Sequence, residues 1–213
     1  QCGRTFLNFH PSLLPLHRGS NPISSVLYRG DGETGVTVHR MSSRIDVGDV
    51  VLQGRVPVVP ADTFGTLSFR LSELARSLMD RLADCIGRGE LQCEPCPDPL
   101  TGFYVRRPPP EFYELRLDAD PLDEMDRKVR AYGELDATFF VLGGRRVYVG
   151  GAQRVPAAGG DDGGTRRVMA GYRRSVLVSE GGQVLRLSDL RERLTPDLGN
   201  ELLLQRVLAE TLA

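Results

Sequence analysis

Six apolar residues set the first constraint on the fold. Leu67, Leu71, Leu74, Leu78, Leu82 and Ile86 recur at steps of three and four, the period of one helix face. Asp62 or Thr63 supplies an N-terminal cap, and Gly87 and Gly89 stop the helix. A stripe of that length needs an apolar surface to cover. Upstream runs provide it. Val36, Val38 and Arg40 alternate with Thr37, His39 and Met41, and Val50 to Val59 is mostly β and ends at Pro60. Asn21-Pro22 opens a shorter helix whose Ile23, Val26 and Leu27 share a face. The first part of the chain therefore reads as α/β.

The pattern changes near residue 110. Leu91 to Pro110 is rich in Pro and Cys and reads as a linker wrapping the first domain. Asp120-Pro121 then starts a capped helix to about Tyr132, with Leu122, Met125 and Val129 on one side and Arg127, Lys128 and Arg130 in its later half. Short β runs follow at 138–142, 145–149, 167–169, 175–178 and 183–187, punctuated by Gly143-Gly144, Gly150-Gly151 and Gly181-Gly182. That spacing predicts a small open barrel. Pro156 to Thr165 reads as a mobile loop, and Pro196 to Leu212 as a closing helix that docks on the barrel or makes a dimer contact. Two domains are expected, 1–110 and 111–213.

Composition narrows the function classes. A net charge of −1 over 213 residues supplies no field to draw in nucleic acid. No apolar run is long enough for a bilayer and no signal peptide is visible, so no membrane partner is expected. The four cysteines do not suggest a disulfide framework, which fits a reducing, cytoplasmic home. Cys93-Glu94-Pro95-Cys96 has the spacing of half a zinc site with no second pair after it, so no metal is expected.

The chemistry-bearing stretch is Asn8-Phe9-His10-Pro11-Ser12-Leu13-Leu14-Pro15, followed by Leu16-His17-Arg18-Gly19. Residues two apart on a strand point the same way, so Asn8 and His10 face one space. The imidazole can move a proton near neutral pH, and the amide can donate to a developing oxyanion. Pro11 and Pro15 interrupt any regular ladder. Asp46, in the loop ahead of Val50, can reach His10 and orient it; the plain alternative is a turn aspartate before Gly48.

The strings NFHPSLLPLHRGSNP, GETGVTVHRM and DVGDVVLQ resemble the formyltransferases that use 10-formyltetrahydrofolate. That resemblance implies the catalytic positions Asn8, His10 and Asp46, with a Ser12-Leu13-Leu14-Pro15 loop walling the folate. It implies the later part of a Rossmann-like formyltransferase domain, with the earlier βα units of the parallel sheet missing ahead of residue 1, followed by an OB-like C-terminal domain. GFYVRRPPP and the HRM before Asp46 are most like the amino-sugar branch, which implies a nucleotide-linked sugar amine as acceptor, with Arg18, Arg106 and Arg107 as substrate contacts. Arg106-Arg107 has the alternative of a solvated surface pair. Methionyl-tRNA and a hydroxyornithine-type amine are the other acceptor classes; a formyltetrahydrofolate hydrolase and a non-catalytic module are the other functions weighed.

Overall fold

The computed structural model describes residues 5–156, 165–171 and 175–192. Two compact units meet in sequence at Arg107 and Pro108. The expected mobile loop falls mostly outside the described residues, and the expected closing helix lies wholly outside them.

The first unit carries β1 (Leu7–His10), β2 (Arg18–Gly19), α1 (Pro22–Arg29), β3 (Glu33–Arg40), β4 (Val50–Pro57), α2 (Phe64–Arg88) and β5 (Tyr104–Val105). The sheet order is β1-β3-β4, and both pairings are antiparallel. The parallel pairing of a Rossmann sheet does not occur among these three strands. A parallel contact occurs in the separate two-residue pair β2-β5.

Helix α2 forms as the leucine series predicts. Thr63 accepts from the Thr66 amide while the Thr66 hydroxyl accepts from the Thr63 amide, a reciprocal capping box. Gly89 closes the helix in the left-handed conformation. Leu67, Leu71, Leu78 and Leu82 are buried. Leu74 sits over Gly54 of β4, where a Cβ would come within 2.7 Å of its Cδ1. Ile86 departs from the expectation, being 56% exposed. Twenty-five helical residues extend roughly 37 Å, whereas the eight of β4 reach roughly 27 Å, so the last turn of α2 outruns its sheet.

Strand β3 forms where the alternation predicts it, and it is covered on both faces: Thr34 to His39 are all buried. Val36 and Val38 are apolar, while Thr37 and His39 point to the opposite side, which the chain also covers. The segment after α2 is also more than a linker. Val50 and Glu94 exchange backbone hydrogen bonds, the Cys96 amide donates to Asp49, and β5 pairs with β2. Asn21 makes no side-chain cap to α1, so its N-terminus relies on Pro22.

The second unit contains α3 (Leu122–Tyr132), β6 (Phe139–Leu142), β7 (Arg145–Val155), β8 (Arg167–Gly171), β9 (Ser175–Glu180) and β10 (Gln183–Glu192). The strands form an antiparallel sheet in the order β6-β7-β10-β9-β8, and no pairing joins β6 to β8 among the described residues. Met125 and Val129 of α3 join Phe140, Val147, Val149, Leu185 and their neighbours in one core. Gly143-Gly144 and Gly181-Gly182 do make turns, with positive φ at both residues of each pair. Gly150-Gly151 does not: β7 runs straight through it. A Cβ at Gly150 would strike the Asp189 carboxylate of β10, and one at Gly151 would lie 2.7 Å from the Ser188 hydroxyl. These glycines make room across the sheet. Asp120 does not cap α3 either. Its fully buried carboxylate takes the Arg116 amide and guanidinium and lies 3.6 Å from Lys128.

Candidate active site

Strand β1 presents Asn8 and His10 on one face, as their spacing predicts, and β3 places His39 directly opposite Asn8. The loop between β3 and β4 brings Asp46 onto the same group. Asp46 Oδ1 lies 3.5 Å from His10 Nδ1, 3.5 Å from Asn8 Nδ2 and 4.0 Å from His39 Nε2.

The loop reaches there because of two backbone features. Asp46 has φ of +51°, a region that Asp tolerates better than most residues. Gly48 must be bare, since a Cβ there would overlap the Arg40 carbonyl oxygen. The reason for an Asp-x-Gly at this place is thus close packing of the loop on the end of β3. The pairing of β3 with β4 also shifts register between Val38 and His39, and such irregularities re-aim side chains.

A three-residue segment, His17 to Gly19, fixes both reactive groups. His10 Nε2 donates to the His17 carbonyl at 2.9 Å, which leaves Nδ1 of the neutral ring as the basic nitrogen, facing Asp46. The Gly19 amide donates to Asp46 Oδ2 at 2.8 Å. His17 itself is buried with φ of +53°; its ring meets the Ser25 hydroxyl at 2.9 Å and the Asp31 carboxylate at 2.7 Å. The Arg18 amide donates to the Phe103 carbonyl, and the Phe103 ring meets His17 edge-on. Nothing in the sequence distinguishes the carbonyl of His17 or the amide of Gly19, because a backbone group leaves no compositional mark.

Burial pulls the titration of His10 below the usual imidazole range. The His17 carbonyl and the Asp46 carboxylate oppose that shift, and His39 adds slightly to it. His10 is therefore the neutral, proton-accepting form at neutral pH. Burial lowers His17 as well, against the pull of Asp31.

Two cavities lie in the first unit. One, of about 200 Å³, has Asn8, His39 and Asp46 on one side and Met41, Arg44 and Ile45 among its other walls. The other, of about 390 Å³, is lined by Leu13, Leu14 and Pro15 together with Asp31, Gln53 and Arg55. Ser12 is fully buried and its hydroxyl donates to the Leu16 carbonyl, so its polar group is spent on closing the loop. Arg18 lies in β2 beside the segment that holds Asp46. Arg106 and Arg107 are exposed and line neither cavity. Among the described residues no group of three or more His, Cys, Asp or Glu side chains could hold a metal ion, and no helix is long and apolar enough to cross a membrane.

Known proteins resemble this chain in sequence and in fold. Over 188 residues the chain is 35% identical to a methionyl-tRNA formyltransferase of Parvibaculum lavamentivorans, covering 87% of this chain and 59% of that protein. The chain thus spans less than two thirds of the length of the curated relatives it matches. HypX of Aquifex aeolicus, solved with tetrahydrofolic acid, superposes with a TM-score of 0.73 at 20% identity over 89% of this chain and 32% of that one. An N-formyltransferase of Helicobacter canadensis, solved with folinic acid and dTDP-3-aminofucose, gives 0.67 at 16% identity over 86% of this chain and 65% of that one. Residues 1–82, which carry every member of the cluster, match the family model described as Formyl transferase.

Proposed function

We propose that this chain transfers a formyl group from 10-formyltetrahydrofolate to a primary amine, with Asn8, His10 and Asp46 as the catalytic residues. The observation that carries the reading is the convergence of the three at the Asp46 carboxylate, which stands 3.5 Å from both the His10 ring and the Asn8 amide. The acceptor amine attacks the formyl carbon, and Asn8 donates to the oxygen as it becomes an oxyanion, a contact worth about a hundredfold or more in rate. His10 Nδ1 takes the amine proton, and Asp46 stabilises the imidazolium that results. His10 passes that proton to the folate nitrogen as its bond to the formyl carbon breaks, which releases tetrahydrofolate and the formamide. The 390 Å³ cavity along Leu13, Leu14 and Pro15 is assigned to the folate. The chemistry requires no metal.

For the acceptor, the similarity to methionyl-tRNA formyltransferases extends through both units and favours the aminoacyl amine of methionyl-tRNA. A nucleotide-linked amino sugar is the second reading, favoured by the fold shared with the Helicobacter canadensis enzyme. On either reading the open sheet β6-β10 corresponds to an OB-like C-terminal domain, the boundary falls near residue 110, and the protein works in the cytoplasm. Incubating the chain with 10-formyltetrahydrofolate and each acceptor, and measuring tetrahydrofolate and formate, tests the proposal. Tetrahydrofolate formed only with an amine supports transfer. Formate released at the same rate without an acceptor identifies a hydrolase instead. Neither product from folded protein refutes the proposal.

A further inference from the structure

His39 is the third histidine of the chain and has no part in the scheme above, yet it is 2% exposed and lies beside the reacting groups. Its ring is fixed at both nitrogens. Nδ1 is 3.0 Å from the Arg40 carbonyl oxygen, so Nδ1 carries the proton. Nε2 then keeps its lone pair, and it lies 3.2 Å from Asn8 Nδ2. The Asn8 amide nitrogen can donate there; its oxygen could not be attracted. The same orientation suits Asp46, because Asn8 Nδ2 also faces Asp46 Oδ1, where an amide oxygen would meet a carboxylate.

We propose that His39 is a positioning residue that holds the Asn8 amide with its nitrogen toward the reacting oxygen. The terminal torsion of Asn is broad and nearly two-fold, so an unrestrained Asn8 would divide its time between presenting a donor and presenting an acceptor. The proton given to His39 spends one N–H on locking the side chain. The other N–H has only the long 3.5 Å approach to Asp46, at the outer limit of a hydrogen bond. That proton is the one a ligand oxygen entering the 200 Å³ cavity can take, since Asn8, His39 and Asp46 all line it. His39 touches no reacting atom and acts through Asn8 alone.

This inference rests on the formyl-transfer reading, and its test separates the two. His39→Leu removes the acceptor; His39→Gln restores one through its amide oxygen. Losing the orientation of a donor worth a hundredfold or more should lower kcat about tenfold or more in His39→Leu, with KM for the folate changed less than about threefold. His39→Gln should recover most of the rate. Thermal melts of both variants establish that they fold. In parallel, 15N-resolved NMR of wild type should place the His39 proton on Nδ1 and show a slowly exchanging Asn8 side-chain amide, lost in His39→Leu and retained in His39→Gln. A folded His39→Leu protein with wild-type turnover, or an Asn8 amide unaltered by that substitution, overturns the proposal. If wild type transfers no formyl group while the NMR pattern holds, the positioning role stands and the transfer reading fails.

Discussion

Replacing Asp46 by Asn keeps the size of the side chain and keeps an oxygen to accept the Gly19 amide proton, so the loop should hold its place. What disappears is one negative charge, 3.5 Å from His10 Nδ1, between groups only 5% and 12% exposed. As His10 gains the amine proton it becomes a cation facing that site. At about 4 Å and an effective dielectric near 20, such a pair is worth about 4 kcal/mol. At about 1.4 kcal/mol per tenfold in rate, Asp46→Asn should lower kcat about a thousandfold. The KM for the folate should move little, because the charge acts on a state formed after binding. The pH profile gives an independent check. Asp46 raises the His10 pKa, so its loss should move the acid limb of kcat/KM to lower pH. Stopped-flow or steady-state absorbance of tetrahydrofolate formation reads both quantities. A loss below about tenfold, in protein that melts like wild type, would show that His10 does not become charged in the rate-limiting step.

Gly19→Ala should impair turnover without any change in a side chain that touches substrate. The position has φ of +108° and a Cβ would strike the Val105 carbonyl oxygen, so strain of roughly 1–3 kcal/mol should appear in a urea melt, together with a fall in kcat as the amide leaves Asp46. Leu78→Ala, at a side chain 1% exposed on α2, should cost about 2–5 kcal/mol by the same melt while leaving the remaining folded fraction active. Acid should destabilise the first unit. Burial lowers the folded pKa of both His10 and His17, so below the ordinary imidazole value of about 6.5 the unfolded chain binds more protons than the folded one. Stability should therefore be full above that pH and fall as pH drops from it toward the folded pKa values; a urea midpoint flat between pH 7 and pH 5 would contradict this.

The elements legible in the sequence are those whose cause is local. The leucine period of α2, the Thr63 cap, the turns at Gly143-Gly144 and Gly181-Gly182 and the shared face of Asn8 and His10 each follow from neighbours within a turn or a strand. The misreadings come from contacts that the local pattern does not show. Gly150-Gly151 looks like a turn until Asp189 and Ser188 arrive across the sheet. Asp120 looks like a cap until Arg116 and Lys128 claim it. His39 looks like one residue of an alternating strand, and only the register Asn8↔His39 makes it part of the site.

The same distinction explains why the histidine stretch could be read for its side chains and not for its scaffold. His17, Arg18 and Gly19 act through main-chain atoms: a carbonyl that takes the His10 Nε2 proton, an amide held by Phe103, and an amide that holds Asp46. Identity matters at these positions only through what the backbone must do. His17 sits at positive φ with its ring tied to Ser25 and Asp31, which fixes the direction of its carbonyl. Gly19 is bare because β5 passes directly over it. The segment 103–105, which reads from composition as part of a linker, therefore holds the strand that holds both His10 and Asp46. A substitution at Phe103 that loosens β5 should disturb the geometry of the His10–Asp46 pair more than one at the exposed Arg106 or Arg107, even though the arginines are the more conspicuous feature of the sequence.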